Sequence, residues 1–242
     1  DSSRTSLTGF TAGLDFVKNT GKHWLYNVGL ETDSPGFEPN DIGRLSTGDA
    51  ILGYGSVTYR ETVPKRYYRG YSVTLGTFQE RNYDLVPQFH FARADAGVTF
   101  RNFWNLNATT WRDFRGTDER LTRGGPLMGT PFFDVGIISL QNASSAKTRW
   151  QGRVYYGKDD LGAITNRLSG FIAFKPSTQW DFSISPNFLR AQNARQYFTT
   201  RSDGGAQTFG RRYIFGFLDQ SIFSSVVRLN YAVKPDLTLE MY

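Results

Sequence analysis

Large apolar side chains recur at every second position along most of this chain. Trp24, Tyr26, Val28 and Leu30 are separated by Leu25, Asn27, Gly29 and Glu31. Tyr71, Val73 and Leu75 alternate with Ser72, Thr74 and Gly76, and Trp180, Phe182 and Ile184 with Asp181, Ser183 and Ser185. Val227, Leu229, Tyr231 and Val233 alternate with polar Arg228, Asn230 and Lys234. A period of two is that of a strand with one apolar and one polar face. Helical periodicity is nearly absent. The pattern predicts strands at 7–17, 23–33, 49–61, 67–79, 87–101, 104–114, 132–142, 148–157, 164–174, 179–190, 195–201, 209–219, 223–233 and 237–242. Most are about ten residues long, against five or six in ordinary globular sheets. A tilted strand that crosses a bilayer needs about 9–11.

The connections reinforce this reading. Short turns at 18–22, 63–66, 102–103, 143–147, 175–178 and 234–236 alternate with longer segments at 34–48, 80–86, 115–131 and 158–163. Outer-membrane barrels have short turns on one rim and longer loops on the other. Near the C-terminus the alternation holds only if 195–201 and 209–219 form a hairpin of their own. Aromatic residues gather near strand ends, and Trp24, Tyr26, Tyr59, Tyr67, Trp104 and Trp180 are expected at a membrane–water interface. Asn27, Glu31, Asn105, Asn107, Arg153, Arg167, Asp181, Arg228 and Asn230 fall on the polar faces and are expected to line a lumen. Arginine on a lipid-facing position costs about 2–4 kcal/mol at mid-depth, so Arg153, Arg167 and Arg228 belong inside. There they could pair with Asp181 or Glu31, or bias a pore toward anions. The expected fold is therefore all-β: an antiparallel up-and-down transmembrane β-barrel spanning 1–242, with about 14 strands and a wall that need not be complete.

Composition narrows the chemistry. The mean hydropathy of −0.44 and the lack of a long apolar run exclude a helical membrane protein. With no Cys there are no disulfides and no thiolate metal sites. The net charge is +6, and 21 of the 28 basic residues are Arg. They are scattered rather than clustered, which argues against a nucleic-acid interface. The two histidines, His23 and His90, have no partner at metal-ligand spacing. Gly53-Tyr54-Gly55 lacks the third glycine and following helix of a dinucleotide loop. Asp113, Asp118 and Glu119, and then Asp159 and Asp160, are acidic groups in or near expected loops, where solvation is their ordinary fate. No catalytic residue, metal site or cofactor is expected.

Three strings carry a family resemblance. Phe37-Glu38-Pro39-Asn40-Asp41-Ile42-Gly43-Arg44-Leu45 resembles an F-x-x-N-D-x-G-F-L signature, with Arg44 in place of Phe. Arg123-Gly124-Gly125-Pro126-Leu127-Met128 resembles an R-G-G-P-L-M loop. Leu218-Asp219-Gln220-Ser221, Arg228-Leu229-Asn230-Tyr231 and Pro235-Asp236-Leu237-Thr238-Leu239-Glu240-Met241-Tyr242 resemble a third region. Together they are similar to the DUF5916 proteins, often described as carbohydrate-binding family 9 domain-containing. The resemblance implies a C-terminal barrel in the outer membrane of a Gram-negative bacterium, following a sugar-binding-like sandwich that this chain does not include. It also implies strands beyond Tyr242, so the chain is expected to be an internal piece. No catalytic residue carries over.

The expected function is a non-enzymatic, porin-like outer-membrane barrel for polar solutes, with saccharides hinted at by the family. Its expected partners are outer-membrane lipid, lipopolysaccharide and other envelope proteins. The alternatives are a barrel that anchors a surface or periplasmic assembly, and a soluble β-rich carbohydrate-active enzyme with two converging acids. The alternation makes a direct prediction. Leu229→Arg lowers the yield of folding into lipid vesicles, whereas Asn230→Arg leaves it near wild type; equal yields contradict the assignment of faces.

Overall fold

The protein is described by a computed structural model that covers residues 8–37, 48–234 and 236–241. Twelve strands form one sheet in chain order, each antiparallel to its neighbours. They are β1 (Thr11–Lys18), β2 (Trp24–Asp33), β3 (Ala50–Glu61), β4 (Tyr68–Arg81), β5 (Pro87–Phe100) and β6 (Asn105–Asp113), then β9 (Phe133–Gln141), β10 (Thr148–Asp159), β11 (Ile164–Phe174), β12 (Trp180–Arg201), β13 (Arg212–Lys234) and β14 (Leu237–Met241). Between β6 and β9 a small ribbon pairs β7 (Thr117–Asp118) with β8 (Met128–Gly129). The expected all-β antiparallel architecture is present. The sheet is not closed: β1 and β14 are its edges, and no ladder joins them among the described residues.

One expected region is different. The separate strands 179–190 and 195–201 are a single strand, β12, and 209–219 and 223–233 are a single strand, β13. The two form one hairpin that projects past its neighbours. The reason lies in its irregularity. Register shifts between Asn193 and Gln196 and between Tyr197 and Thr199 mark bulges, which break the period of two without ending the strand. Joining the segments restores the alternation of connections. Residues 19–23, 62–67, 101–104, 142–147, 175–179 and 236 lie at one end of the sheet, and 34–37, 48–49, 82–86, 114–132, 160–163 and 202–211 at the other.

Register converts the alternation into rows across the sheet. One row runs Trp24–Tyr59–Val73–Ala96–Ala108–Ile138–Val154–Leu168–Phe188–Phe223 and is apolar throughout. A row one residue out of phase runs Arg60–Ser72–Gly97–Asn107–Ser139–Arg153–Ser169–Asn187–Ser224. The polar face is the concave one. On it Tyr54 Oη of β3 reaches Asp15 Oδ1 of β1 at 2.5 Å, across the intervening strand. Arg195 of β12 likewise reaches past β11 to Asp159 of β10, at 3.8 Å.

The apolar face is not buried. Among the described residues the buried hydrophobic side chains are Ala50, Val135 and Ala173, while Val28, Leu30, Ile138, Val154 and Leu168 are more than half exposed. The total accessible surface is 16443 Å². A globular chain of 27.4 kDa would expose about 11,000 Å². Among the described residues this is one curved layer, with no second layer to cover its apolar side.

The connection 114–132 arches from one side of the curved sheet to the other. Thr117 Oγ1 donates to the Pro87 carbonyl on β5 at 2.9 Å. At its far side the Arg123 guanidinium lies 4.6 Å from the Tyr197 ring of β12. Gly124 has a φ of 90°, which favours glycine. A Cβ on Gly125 would overlap the Tyr213 ring of β13. Thr122, only 1% exposed, donates to the Pro126 carbonyl at 2.8 Å and ties the arch to itself. Gly125→Val should therefore lift the arch from Tyr213. Limited proteolysis is expected to cut within 118–128 faster than in the wild type, with the far-ultraviolet circular dichroism unchanged. Equal cleavage rates contradict the packing described.

Candidate lumen face and its loop-end cavity

The strands that curve around the concave face hold its polar side chains in cross-strand networks. Near the β1 edge, Tyr54 Oη sits between Asp15 and Glu31 Oε1, the latter at 2.8 Å. Ser56 donates to Asn27 at 2.6 Å, and the Thr58 and Thr74 hydroxyls lie 2.7 Å apart. In the middle, Arg93 binds Asp95 through both carboxylate oxygens at 2.7 Å, and Thr109 donates to the same group at 2.7 Å. Thr99 donates to Asn105 at 2.7 Å. Toward β13, Ser169 donates to Asn187, which donates to Ser224. Such fork-shaped and charge-assisted contacts fix side-chain orientation as well as charge.

The nine residues expected on a polar interior all lie on this concave face by register. Asn27, Glu31, Asn105 and Asn107 stand on β2 and β6, Arg153 and Arg167 on β10 and β11, and Asp181, Arg228 and Asn230 on β12 and β13. Asp181 pairs with Lys175 at 2.8 Å, and Glu31 accepts a hydrogen bond from Tyr54. Sequence reasoning did not single out Tyr54, Asp15, Arg93 or Asp95. Their sites were legible only as polar-face positions, because cross-strand pairing is a matter of register.

The convex face has different borders at its two ends. Trp24, Tyr26, Tyr59, Tyr67, Trp104 and Trp180 stand at the end with short turns. There Trp24 and Tyr59 are 5.0 Å apart, Trp104 and Trp150 5.1 Å, and Trp180 and Tyr231 4.2 Å. At the other end the row Arg112–Asp134–Lys158 is charged, and Arg112 binds both oxygens of Asp134. Along β12 the outward positions run Trp180, Phe182, Ile184, Pro186 and Phe188 before Arg190, which pairs with Asp219. The apolar stretch between borders is about nine residues, the length of a tilted bilayer-crossing strand.

Beyond the charged row, beneath the arch, a cavity of about 570 Å³ opens on the concave side. Its floor is the row Asp113–Phe133–Asp159, in which the Phe133 position lies between two acids. Asp159, 4% exposed, accepts the Leu161 and Ala163 amides on one oxygen and faces Arg195 with the other. Asp113 is half-buried, and burial pushes its carboxyl above the usual carboxylate range despite a hydrogen bond with Trp111. Asp113 Oδ1 and Arg195 Nη1 are buried and have no hydrogen-bond partner. Asp118 caps the arch by accepting the Arg120 amide, and Asp160 pairs with Arg115. Among the described residues no group of His, Asp and Glu could hold a metal ion. No helix among them is long and apolar enough to cross a membrane, which says nothing of crossing by strands.

The family profile described as "Domain of unknown function (DUF5916)" matches residues 1–240. The chain belongs to the DUF5916 family. No curated protein and no solved structure matches it. Of the strings that resemble the DUF5916 pattern, residues 38–45 of the first lie outside the described residues. The second, Arg123–Met128, is the crest of the arch, where the glycines answer to Gly124's backbone and to the Tyr213 ring. The third covers much of β13 and β14, with Pro235 and Tyr242 outside the described residues.

The raised pKa of Asp113 has a definite consequence for stability. Its folded pKa lies above the unfolded value, so its contribution is whole below that value and is lost as pH rises through the folded pKa. At neutral pH the buried carboxylate destabilises the fold. Asp113→Asn is expected to raise the thermal midpoint at pH 7, with the gain disappearing below about pH 4. A gain that persists at low pH, or a loss at pH 7, contradicts the assignment.

Proposed function

We propose that this DUF5916 chain forms wall of a β-barrel in a bacterial outer membrane, with its convex face in lipid and its concave face lining a lumen for polar solutes. The observation that carries the reading is the pair of neighbouring rows: one apolar from Trp24 to Phe223, the other polar from Arg60 to Ser224. In water the exposed apolar row would be a large unfavourable surface. In hydrocarbon it is at home, and backbone ladders satisfy the strand interiors. The aromatic border and the charged border fit the two interfaces of a bilayer. Closure of the wall is part of the proposal, made by strands pairing on the free edges of β1 and β14.

In this reading Asn27, Glu31, Asn105, Asn107, Arg153, Arg167, Asp181, Arg228 and Asn230 face the lumen. Trp24, Tyr26, Tyr59, Tyr67, Trp104 and Trp180 sit at one interface. The partners are outer-membrane lipid and lipopolysaccharide, and no catalytic role is assigned. One observation favours a second reading, a non-conducting anchor: the arch 114–132 lies over the concave side and narrows it. Single-channel recording of the full-length protein in planar bilayers separates the two. Defined conductance steps are expected, rising when residues 119–127 are deleted. Silent bilayers that contain folded, inserted protein contradict the pore and leave the anchor.

A further inference from the structure

The concave wall distributes its charges unevenly. Asp95 is held by Arg93 and Asp181 by Lys175, while Asp15 and Glu31 meet the Tyr54 hydroxyl at the β1 edge. Asp113 and Asp159 line the loop-end cavity. On β10 and β11 the same polar phase carries Arg149, Arg153 and Arg167. Among the described residues none of these three is in an ion pair. Arg153 and Arg167 are exposed, and the Arg149 guanidinium lies 5.9 Å from the Phe171 ring.

Their spacing makes a track. Tyr155 pairs with Arg167 across the ladder, so Arg153, two residues before Tyr155, is a diagonal neighbour of Arg167, about 7–8 Å away between backbones. Arg149 stands four residues further along β10, a step of about 13 Å that the long side chains can narrow. Both steps are comparable with the screening length of about 8 Å at physiological ionic strength, so the fields of successive groups overlap. Ser139, opposite Arg153 on β9, adds a hydroxyl that can donate.

These features select a solute class. Three guanidinium groups without counter-ions repel a cation and offer a neutral solute little. A carboxylate or phosphate takes two parallel N–H donors from one guanidinium. Exposure keeps each contact weak, and weak sites in series let an ion both enter and leave. We propose that Arg149, Arg153 and Arg167 form a cationic track along the lumen wall that passes small oxyanions, solutes bearing a carboxylate or a phosphate. The track rests on the reading of the concave face as a lumen and adds a solute class to it.

Reversal potentials of the full-length protein in planar bilayers under a potassium chloride gradient test the charge preference, with inorganic phosphate as the oxyanion probe. An anion-selective current is expected, which phosphate reduces saturably. The double variant Arg153→Gln/Arg167→Gln should lower the anion-to-cation permeability ratio about threefold or more and relieve the phosphate block. Arg153→Lys/Arg167→Lys should keep the anion preference but weaken the block, because lysine has no planar fork. Lys158→Gln removes one charge from the convex face of β10 and should change neither reading. Circular dichroism of each variant confirms that the sheet is intact. The proposal is overturned if the wild-type current is unselective or cation-selective, if the glutamine variant keeps the wild-type ratio, or if phosphate leaves the chloride current unchanged. Open channels without anion preference remove only the track, whereas silent bilayers that contain inserted protein remove the pore and the track with it.

Discussion

Each long strand must pair its backbone in ladders while its two faces meet different surroundings. Everything else in the molecule follows from that division. Rows of apolar side chains on the convex side and rows of polar ones on the concave side are one residue out of phase on the same strands. No second layer covers the apolar rows, and only Ala50, Val135 and Ala173 form anything like a buried hydrophobic core among the described residues. The hydrophobic effect therefore acts here through whatever medium meets the convex face, not through an interior. The polar side is organised in the opposite sense. Its networks, Tyr54 with Asp15 and Glu31, and Arg93 with Asp95 and Thr109, hold the curved sheet from within.

The two ends of the sheet differ in construction, and this gives the molecule a direction. Short turns and aromatic rings in edge-on and tilted pairs close one end. At the other, β12 and β13 project, the arch 114–132 spans from β5 to the projecting hairpin, and a polar cavity lies under it. Asp113 and Arg195 both stand in the wall of that cavity, at this end of the concave face.

Much of this architecture was legible in the sequence, and the limits have physical causes. Alternation alone places Leu229 and Asn230, or Trp180 and Asp181, on opposite faces, because side-chain direction on a strand is local. Strand continuity near residue 194 was not legible. Bulges at Asn193/Gln196 and Tyr197/Thr199 shift the phase there, and a phase shift reads as a strand end. Long-range partners were also hidden. Asp113 and Asp159 are 46 residues apart, and only the pairing of β6, β9 and β10 puts them either side of Phe133. The R-G-G-P-L-M string was visible as a motif, but its reason, a glycine pressed against Tyr213, is a tertiary contact.

The central claim is that neighbouring residues on one strand face hydrocarbon and water by turns. The absence of native cysteine allows it to be read directly. Single cysteines placed from Arg167 to Phe171, each carrying an environment-sensitive fluorophore in protein folded into vesicles, can be quenched separately from lipid and from water. The account predicts strong quenching by a lipid-chain quencher at Leu168 and Gly170, and by an aqueous quencher at Arg167, Ser169 and Phe171. Uniform aqueous quenching at all five positions would contradict it.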